Sequence, residues 1–400
     1  MENIEKIYAE SSTYLKNLDP LFRRDQIEDV DWAERLLFIK GSRGIGKTTL
    51  ILQHIQEQYG YDSKVLYVSM DSLQLLDYKL IELAEYHFNH GGTHLFVDEI
   101  HKYQNWSLEL KNINDLYKKL NVVVSGSSIL HLYKGNADLS RRGVSFKLRG
   151  LSFREFLNIE TKSNFPKYSL DDLLQNHLQI AADIGQVVNP LQYIKEYLKY
   201  GYNPYYLEGK SSFHHKLNNT VNLIIETDIT QLFGVDVSKI IKLKKLLYAI
   251  AVNVPFQPNT SKLATSLEIS RSTLNAYLQY LHEAEIIHLL WKSGQSYSLI
   301  SKPEKIYLNN TNLCFLVPES SVNVGNLRET FFVNQVSAMH DVFASTIGDF
   351  LVDDKYIFEV GGPNKKFTQI ANQAGSYKVQ DEILIGAKNN IPLWLFGFLY

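Results

Sequence analysis

The 400-residue chain is 45% hydrophobic and 21% charged, close to globular averages. That excludes disorder as a global state and, at roughly 100–200 residues per domain, points to about two to four domains. Its net charge of −2 excludes a chain-wide basic coat for nucleic acid but leaves room for a local basic face. The single cysteine, Cys314, excludes an internal disulfide and a cysteine-built zinc cage, and fits a reducing compartment.

The first residues, MENIEKIYAE, are acidic and polar and carry no signal-peptide apolar run. Leu36–Ile39 and Ile391–Leu399 are too short to span a bilayer. The expectation is a cytoplasmic chain with no membrane partner. Strands are expected at Leu36–Ile39, Val65–Ser69, Leu95–Val97, Val122–Val124 and Val144–Leu148. Helices are expected between them at Thr48–Tyr59 and Leu73–Phe88, the latter with Leu76, Leu80, Leu83 and Ala84 on one stripe. Strands separated by helices of this size predict a parallel sheet with right-handed crossovers. Residues 160–235 read as mainly helical: Leu170–Ile184, then Leu191–Tyr200, then a break at Gly201–Pro204. Helices follow at Lys239–Ala251, Ser261–Leu267 and Ser270–Ala284, then a β-rich piece over Ile286–Leu308. The last stretch mixes a helix at Arg328–Met339 with strands near Asp349–Val352, Tyr356–Val360 and Ile391–Phe398.

The chemistry concentrates in Gly41-Ser42-Arg43-Gly44-Ile45-Gly46-Lys47-Thr48, followed by Thr49, which fits G-x-x-x-x-G-K-[ST] between a strand and a helix. Such a loop wraps backbone N–H groups around a polyphosphate, so glycine is needed where φ is positive or a side chain would clash. Lys47 would reach the β- and γ-phosphates and Thr48 would offer its hydroxyl to Mg²⁺, with the helix N-terminus aimed at the phosphates. Leu95-Phe96-Val97-Asp98-Glu99 is an apolar strand ending in two carboxylates. Asp98 would hold Mg²⁺ through water, and Glu99 would orient the attacking water. Ser125 ends the fourth strand and could contact the γ-phosphate or that water, whereas Ser127 and Ser128 read equally as caps of a helix over Ile129–Tyr133. Arg141 or Arg142, just before the fifth strand, could be offered to the γ-phosphate of a neighbouring subunit.

The segments GSRGIGKTTL, VDEIHKYQNW, VVVSGSSIL, DLSRR and LSFREF together resemble a prokaryotic family of AAA-type ATPases. That family carries a C-terminal domain of unknown function built from a winged helix and a restriction-endonuclease-like fold; KPEKIYLNNTN and GDFLVDDKYIFEVGG are similar to its C-terminal blocks. The resemblance implies Lys47 and Thr48 as Walker A, Asp98 and Glu99 as Walker B, Ser125 as sensor, Arg141 or Arg142 as finger, and residues 161–235 as a lid over ATP.

In the C-terminal half, Pro258–Ile287 reads as a helix-turn-helix. Leu274, Tyr277, Leu278 and Leu281 would be buried; Arg271, Ser272, Thr273 and Asn275 would sit at the exposed start of a recognition helix. The strands around Trp291–Ile300 would form a wing, and Lys239, Lys242, Lys244 and Lys245 could touch phosphates. Glu329, Asp349 and Glu359 could bind Mg²⁺ for phosphodiester cleavage. Gly361, however, stands where an acid-x-Lys pattern needs lysine, and only Lys355, Lys365 or Lys366 could substitute. The twelve histidines show no metal spacing, His101 reads as a strand-end or packing residue rather than a catalyst, and Cys314 reads as core.

The expected fold is therefore α/β: a P-loop parallel-sheet core over 1–160, a helical lid over 161–235, a winged helix over 236–318 and a non-catalytic nuclease-like domain over 319–400. The expected activity is Mg²⁺-dependent binding and hydrolysis of ATP, coupled to the C-terminal region, with duplex DNA and a second copy of the chain as candidate partners. The alternative is a nucleotide-gated DNA- or protein-binding switch with negligible turnover.

Overall fold

The structure, a computed structural model, describes the chain apart from residues 1, 19–21, 77, 128–138, 140, 254, 257–259, 295–301, 367 and 371–372. It divides into two compact units, Met1–Arg149 and Gly150–Tyr400.

Unit 1 is built on β1 (Leu36–Lys40), β2 (Val65–Ser69), β3 (His94–Asp98), β4 (Asn121–Gly126) and β5 (Val144–Lys147), ordered β2-β3-β4-β1-β5. All pairs are parallel. Strands β1 to β4 are apolar on both sides because both faces are covered, whereas the edge strand β5 is largely exposed. Leu36, Phe38, Leu66, Val68, Leu95 and Val97 pack with Leu83 and Ala84 of α3 (Leu80–Asn89) and Leu110 and Ile113 of α4 (Trp106–Leu116). The alternate residues Leu37, Ile39, Tyr67, Phe96 and Val123 pack with Leu50, Ile51 and Ile55 of α2 (Lys47–Gln58) and Leu15 of α1 (Glu2–Lys16). The central strands end where the phosphate motif and the Asp98–Glu99 pair begin.

The helix expected over Leu73–Phe88 is interrupted. Leu73–Leu75 is a 3₁₀ turn whose Gln74 N–H is taken by the Ser72 hydroxyl, and Lys79 is extended (φ −81°, ψ 140°) before α3 starts. Leu76, placed by periodicity on the buried stripe, is 76% exposed. A local cap outcompetes the apolar period here.

Unit 2 begins with α5 (Phe153–Thr161) and α6 (Leu170–Val187). Each is opened by a capping box, Ser152 with Glu155 and Ser169 with Asp172. After α7 (Phe213–Leu223) come α8 (Val237–Val252), α9 (Thr260–Ser266), α10 (Arg271–Glu283) and an antiparallel pair, β6 (Ile287–Leu290) with β7 (Lys305–Leu308). Phe256 bridges to Ile306 beside that pair. The expected wing residues 295–300 lie outside the described residues. Next come α11 (Val324–Val336), β8 (Val342–Ala344), β9 (Phe350–Val352), β10 (Tyr356–Gly361), β11 (Ser376–Gln380) and β12 (Asn390–Pro392). The sheet order is β12-β11-β10-β9-β8, with β10, β11 and β12 parallel and β8 and β9 antiparallel to their neighbours. Phe332 of α11 centres this core, about equidistant from Phe350 and Phe358 (5.1 Å each) and Phe396 (4.9 Å).

The strand expected over Ile391–Phe398 stops at Pro392, and Leu393–Phe398 coils into a buried 3₁₀ helix. Pro392 has no N–H for the ladder. Leu393, Trp394, Leu395 and Phe396 are buried in succession, which an alternating strand with one wet face would not allow.

By contacts the first unit ends at Arg149 and the second begins at Gly150. The helices of 161–235 are held within unit 2 by buried polar ties. The Asn312 side chain accepts from the N–H of Tyr202 (3.1 Å) and Asn203 (3.3 Å) and donates to the carbonyls of Tyr197 (3.2 Å) and Leu198 (3.1 Å). His177 of α6 reaches the Lys388 carbonyl at 2.8 Å.

In unit 1, His54 is stacked on Trp32 at 3.6 Å, and burial, helped by His94, pulls its pKa down to about 4. His87 and His94 are shifted the same way by burial. A folded-state pKa below the unfolded value gives stability that is present above about pH 6.5 and lost as pH falls towards 4. Urea midpoints measured between pH 7 and pH 4 should fall across that window, with a shallower fall in His54→Gln.

Candidate nucleotide site

The loop between β1 and α2 needs its glycines for two separate reasons. A Cβ on Gly41 would lie 2.4 Å from Ile45 Cδ1 and 2.5 Å from the Leu148 carbonyl oxygen. Gly46, at the mouth of α2, has φ 91° and ψ 29°, a left-handed conformation that costs a side-chain-bearing residue about 1 kcal/mol or more. Beneath the loop, Arg24 is buried and donates from Nη1 to the Ile45 carbonyl (2.8 Å) and from Nη2 to the Arg149 carbonyl (2.7 Å). Nothing in the sequence singles out Arg24, since an Arg-Arg pair outside a motif carries no local signal of burial.

Lys47 is buried, and its ammonium donates to the carbonyls of Gly41 (2.9 Å) and Ser42 (3.0 Å), so the charge sits inside the curl of the loop. Thr48 follows on the first turn of α2 and donates to Asp98 Oδ2 at 2.6 Å. Asp98 is 2% exposed and receives two further hydroxyls, Tyr67 on Oδ2 (3.0 Å) and Ser125 on Oδ1. The Ser125 oxygen in turn accepts the Glu99 N–H at 3.2 Å. Burial and the Asp98 charge push the Tyr67 phenol far above its usual pKa, so it stays a neutral donor. In the sequence, Tyr67 is marked only by a hydroxyl on an otherwise apolar strand, which is buried throughout.

The structure therefore brings Lys47, Thr48, Asp98, Glu99 and Ser125 together at the carboxyl ends of β1, β3 and β4. Ser125, expected as a residue that could contact the γ-phosphate or the attacking water, here donates to Asp98 and accepts the Glu99 N–H. Ser127 is buried, and the helix that Ser127 or Ser128 might cap lies outside the described residues. Arg141 and Arg142 precede β5, an edge strand. Arg142 forms a two-pronged pair with Asp115 of the same chain (3.0 and 3.1 Å), which holds the Asp115 carboxyl below its usual range, while Arg141 is exposed.

The second constellation, in unit 2, also converges. Lys305 stands 3.9 Å from Glu329 and 3.8 Å from Asp349, and Lys365 stands 2.8 Å from Asp349 and 3.4 Å from Glu359. Tyr307 donates to Glu329 at 2.6 Å, and burial followed by the Asp349 charge raises the Glu329 pKa. A Cβ on Gly361 would fall 2.3 Å from Lys365 Cδ, so Lys365 lies over the position where the expected pattern lacks its lysine. Among the described residues, no group of three or more His, Cys, Asp or Glu side chains is placed to hold a metal ion. Lys239, Lys242 and Lys244, expected as phosphate contacts, pair with Asp236 (3.0 Å), Glu268 (4.0 Å) and Glu226 (2.5 Å), while Lys245 is exposed. Cys314 is buried as expected, and burial pushes its thiol up to about 12.

Residues 33–157 match the AAA domain family, and residues 191–321 match a domain of unknown function, DUF8612. Two uncharacterized proteins of Methanocaldococcus jannaschii are similar to the chain. One is 30% identical over 288 residues, covering 68% of this chain and 60% of that protein; the other is 26% identical over 269 residues, covering 64% and 56%. The chain thus spans well under two thirds of either relative's length. Solved structures of C. elegans PCH-2 (TM-score 0.25, covering 44% of this chain and 49% of that one) and of katanin (TM-score 0.23, 41% and 60%) are each 15% identical, likenesses too slight to locate a function. The AAA match over the segment that holds the loop and the Asp98 centre supports nucleotide binding by a P-loop and an ATPase-type function. Among the described residues, no helix is long and apolar enough to cross a membrane.

Ser125→Ala would remove the hydroxyl that meets the Glu99 N–H and one buried Asp98 oxygen. It should lower unfolding stability by about 1–3 kcal/mol, measured by urea denaturation, and Ser125→Thr should recover most of the loss.

Proposed function

We propose that the chain is a Mg²⁺-dependent ATPase of the AAA type. The observation that carries this reading is the Thr48–Asp98 pair at 2.6 Å, set beside a lysine held in the curl of a glycine loop. A hydroxyl and a carboxylate this close match the oxygen donor set that Mg²⁺ takes at P-loop sites. Bound there, Mg²⁺ would neutralise charge on the β- and γ-oxygens. Lys47 exchanges its two carbonyl acceptors for phosphate oxygens, a stronger charge-assisted contact. Loop N–H groups from Gly41 to Thr49 orient the polyphosphate. Glu99, just past the end of β3, orients the water that attacks the terminal phosphorus. ATP rather than GTP is the proposed substrate, since the sequence holds no N-K-x-D guanine-reading pattern.

Arg141 is the proposed finger for a neighbouring copy, because the guanidinium of Arg142 is engaged by Asp115 in its own chain. The helices of 161–235 are proposed to serve as the lid. Residues 236–318 are proposed as a winged helix; the helix order α8-α9-α10 followed by β6–β7, with Phe256 beside β7, supports this. With Lys239, Lys242 and Lys244 already holding carboxylates, duplex DNA would rely on Lys245 and the exposed Arg271 and Ser272. The nuclease-like sheet is proposed as non-catalytic: ammonium groups of Lys305 and Lys365 stand between its carboxylates.

Steady-state hydrolysis of Mg·ATP against protein concentration tests this reading. Turnover should rise more steeply than linearly, fall to background in Lys47→Ala, and drop about 100-fold or more in Glu99→Gln. In Arg141→Ala the upward curvature should disappear, while Arg142→Ala should keep it. Equal, near-background rates for wild type and Glu99→Gln would remove the enzyme and leave a nucleotide-gated switch.

A further inference from the structure

The turn after β3 holds an arrangement that the chemistry above does not use. Glu99 has left-handed backbone angles (φ 53°, ψ 40°), a conformation that costs a non-glycine residue about 1–3 kcal/mol and needs fixing by its surroundings. The Ser125 oxygen fixes it from one side through the Glu99 N–H. From there Ile100–Lys102 makes a single 3₁₀ turn, closed by Lys102 N–H on the Glu99 carbonyl at 3.0 Å. Ile100 is wholly buried in the core, and Lys102 pairs with Asp71 in the loop after β2. The turn is thereby pinned at both ends, and it places His101 against Glu99, with Nε2 of the ring 3.4 Å from Oε2 of the carboxylate.

The His101 side chain is 2% exposed, whereas that of Glu99 is 19% exposed although its Oε2 is buried; that oxygen accepts no hydrogen bond among the described residues, so the ring holds it by close contact. One carboxylate oxygen therefore lies against a buried ring, and the accessible part of the side chain lies elsewhere. A glutamate has three rotatable side-chain bonds, and a base must be held near its attack geometry to act well. We propose that His101 is the positioning residue for Glu99, immobilising one carboxylate oxygen so that the other side of the group meets the attacking water. This rests on the ATPase reading and gives the packing histidine expected from sequence a role in turnover.

The test compares wild type, His101→Leu, His101→Gln, Glu99→Gln and the Glu99→Gln/His101→Leu double variant. His101→Leu should lower kcat about 10- to 100-fold, while KM and the affinity for a fluorescent ATP analogue stay within about twofold. His101→Gln, which keeps a polar side chain of similar reach against the carboxylate, should recover most of kcat. In the Glu99→Gln background the Leu substitution should have no further effect, because the residue acts through the carboxylate. Without turnover, the affinity for ADP with fluoroaluminate should weaken in His101→Leu by about the same factor as kcat, and the affinity for ADP alone should not change. Should His101→Leu fail to fold, His101→Asn takes its place: its shorter amide should lose the kcat that Gln keeps. Wild-type kcat in His101→Leu (or in His101→Asn) alongside a slow Glu99→Gln would overturn the positioning role and leave the ATPase standing. No turnover by wild type, or a Glu99→Gln as fast as wild type, would instead overturn the ATPase reading itself.

Discussion

The carboxylate of Asp98 is the constraint on which the site depends. It is buried, so its charge must be met inside the protein. It is met by hydroxyls from three separate elements: Thr48 on α2, Tyr67 on β2 and Ser125 on β4. Those contacts tie the first turn after the phosphate loop to both strands that flank β3. They also reach the backbone of Glu99 through Ser125. The loop geometry, the seat of the carboxylates and the left-handed turn at Glu99 are thus parts of one hydrogen-bonded assembly. Arg24 plays the matching role from below, donating to the carbonyl of Ile45 within the loop and to that of Arg149 at the end of unit 1.

Much of unit 1 was legible because its signals are local. A strand such as Val65–Ser69 is a short apolar run between turn residues. The phosphate loop is set by sterics that only glycine satisfies at Gly41 and by the φ of Gly46. The members of the site could be named for the same reason, since each ends a strand or starts a helix. What was not legible depended on partners distant in the chain. Tyr67 gains its meaning from Asp98, Arg24 from the carbonyls of Ile45 and Arg149, and His101 from the turn that returns it to Glu99. Periodicity misplaced Leu76 because the Ser72 cap interrupts the helix, and it read Leu393–Phe398 as strand because a wholly apolar run does not declare its period.

Unit 2 shows how side-chain charge on paper differs from charge in the fold. The lysines of α8 look like a phosphate-binding row, yet Lys239, Lys242 and Lys244 each lie beside a carboxylate. The Glu329, Asp349 and Glu359 group looks like a metal centre, yet Lys305 and Lys365 lie among its oxygens. Gly361 left room that Lys365 fills from four residues further on. In both places the spacing of charged residues suggested a ligand, and the fold supplies the counter-charge from within the chain. The buried amide of Asn312 does comparable work for architecture, joining the 197–203 segment to the turn that carries Leu313 and Cys314.

Asp98 and Thr48 are proposed to form a Mg²⁺-dependent nucleotide seat. The most direct measurement is the affinity of a fluorescent ATP analogue with and without Mg²⁺, in wild type and in Asp98→Asn. Wild-type binding should tighten with Mg²⁺ and that gain should vanish in Asp98→Asn, with metal-free binding retained. An equal gain in both proteins, or no binding to either, would contradict it.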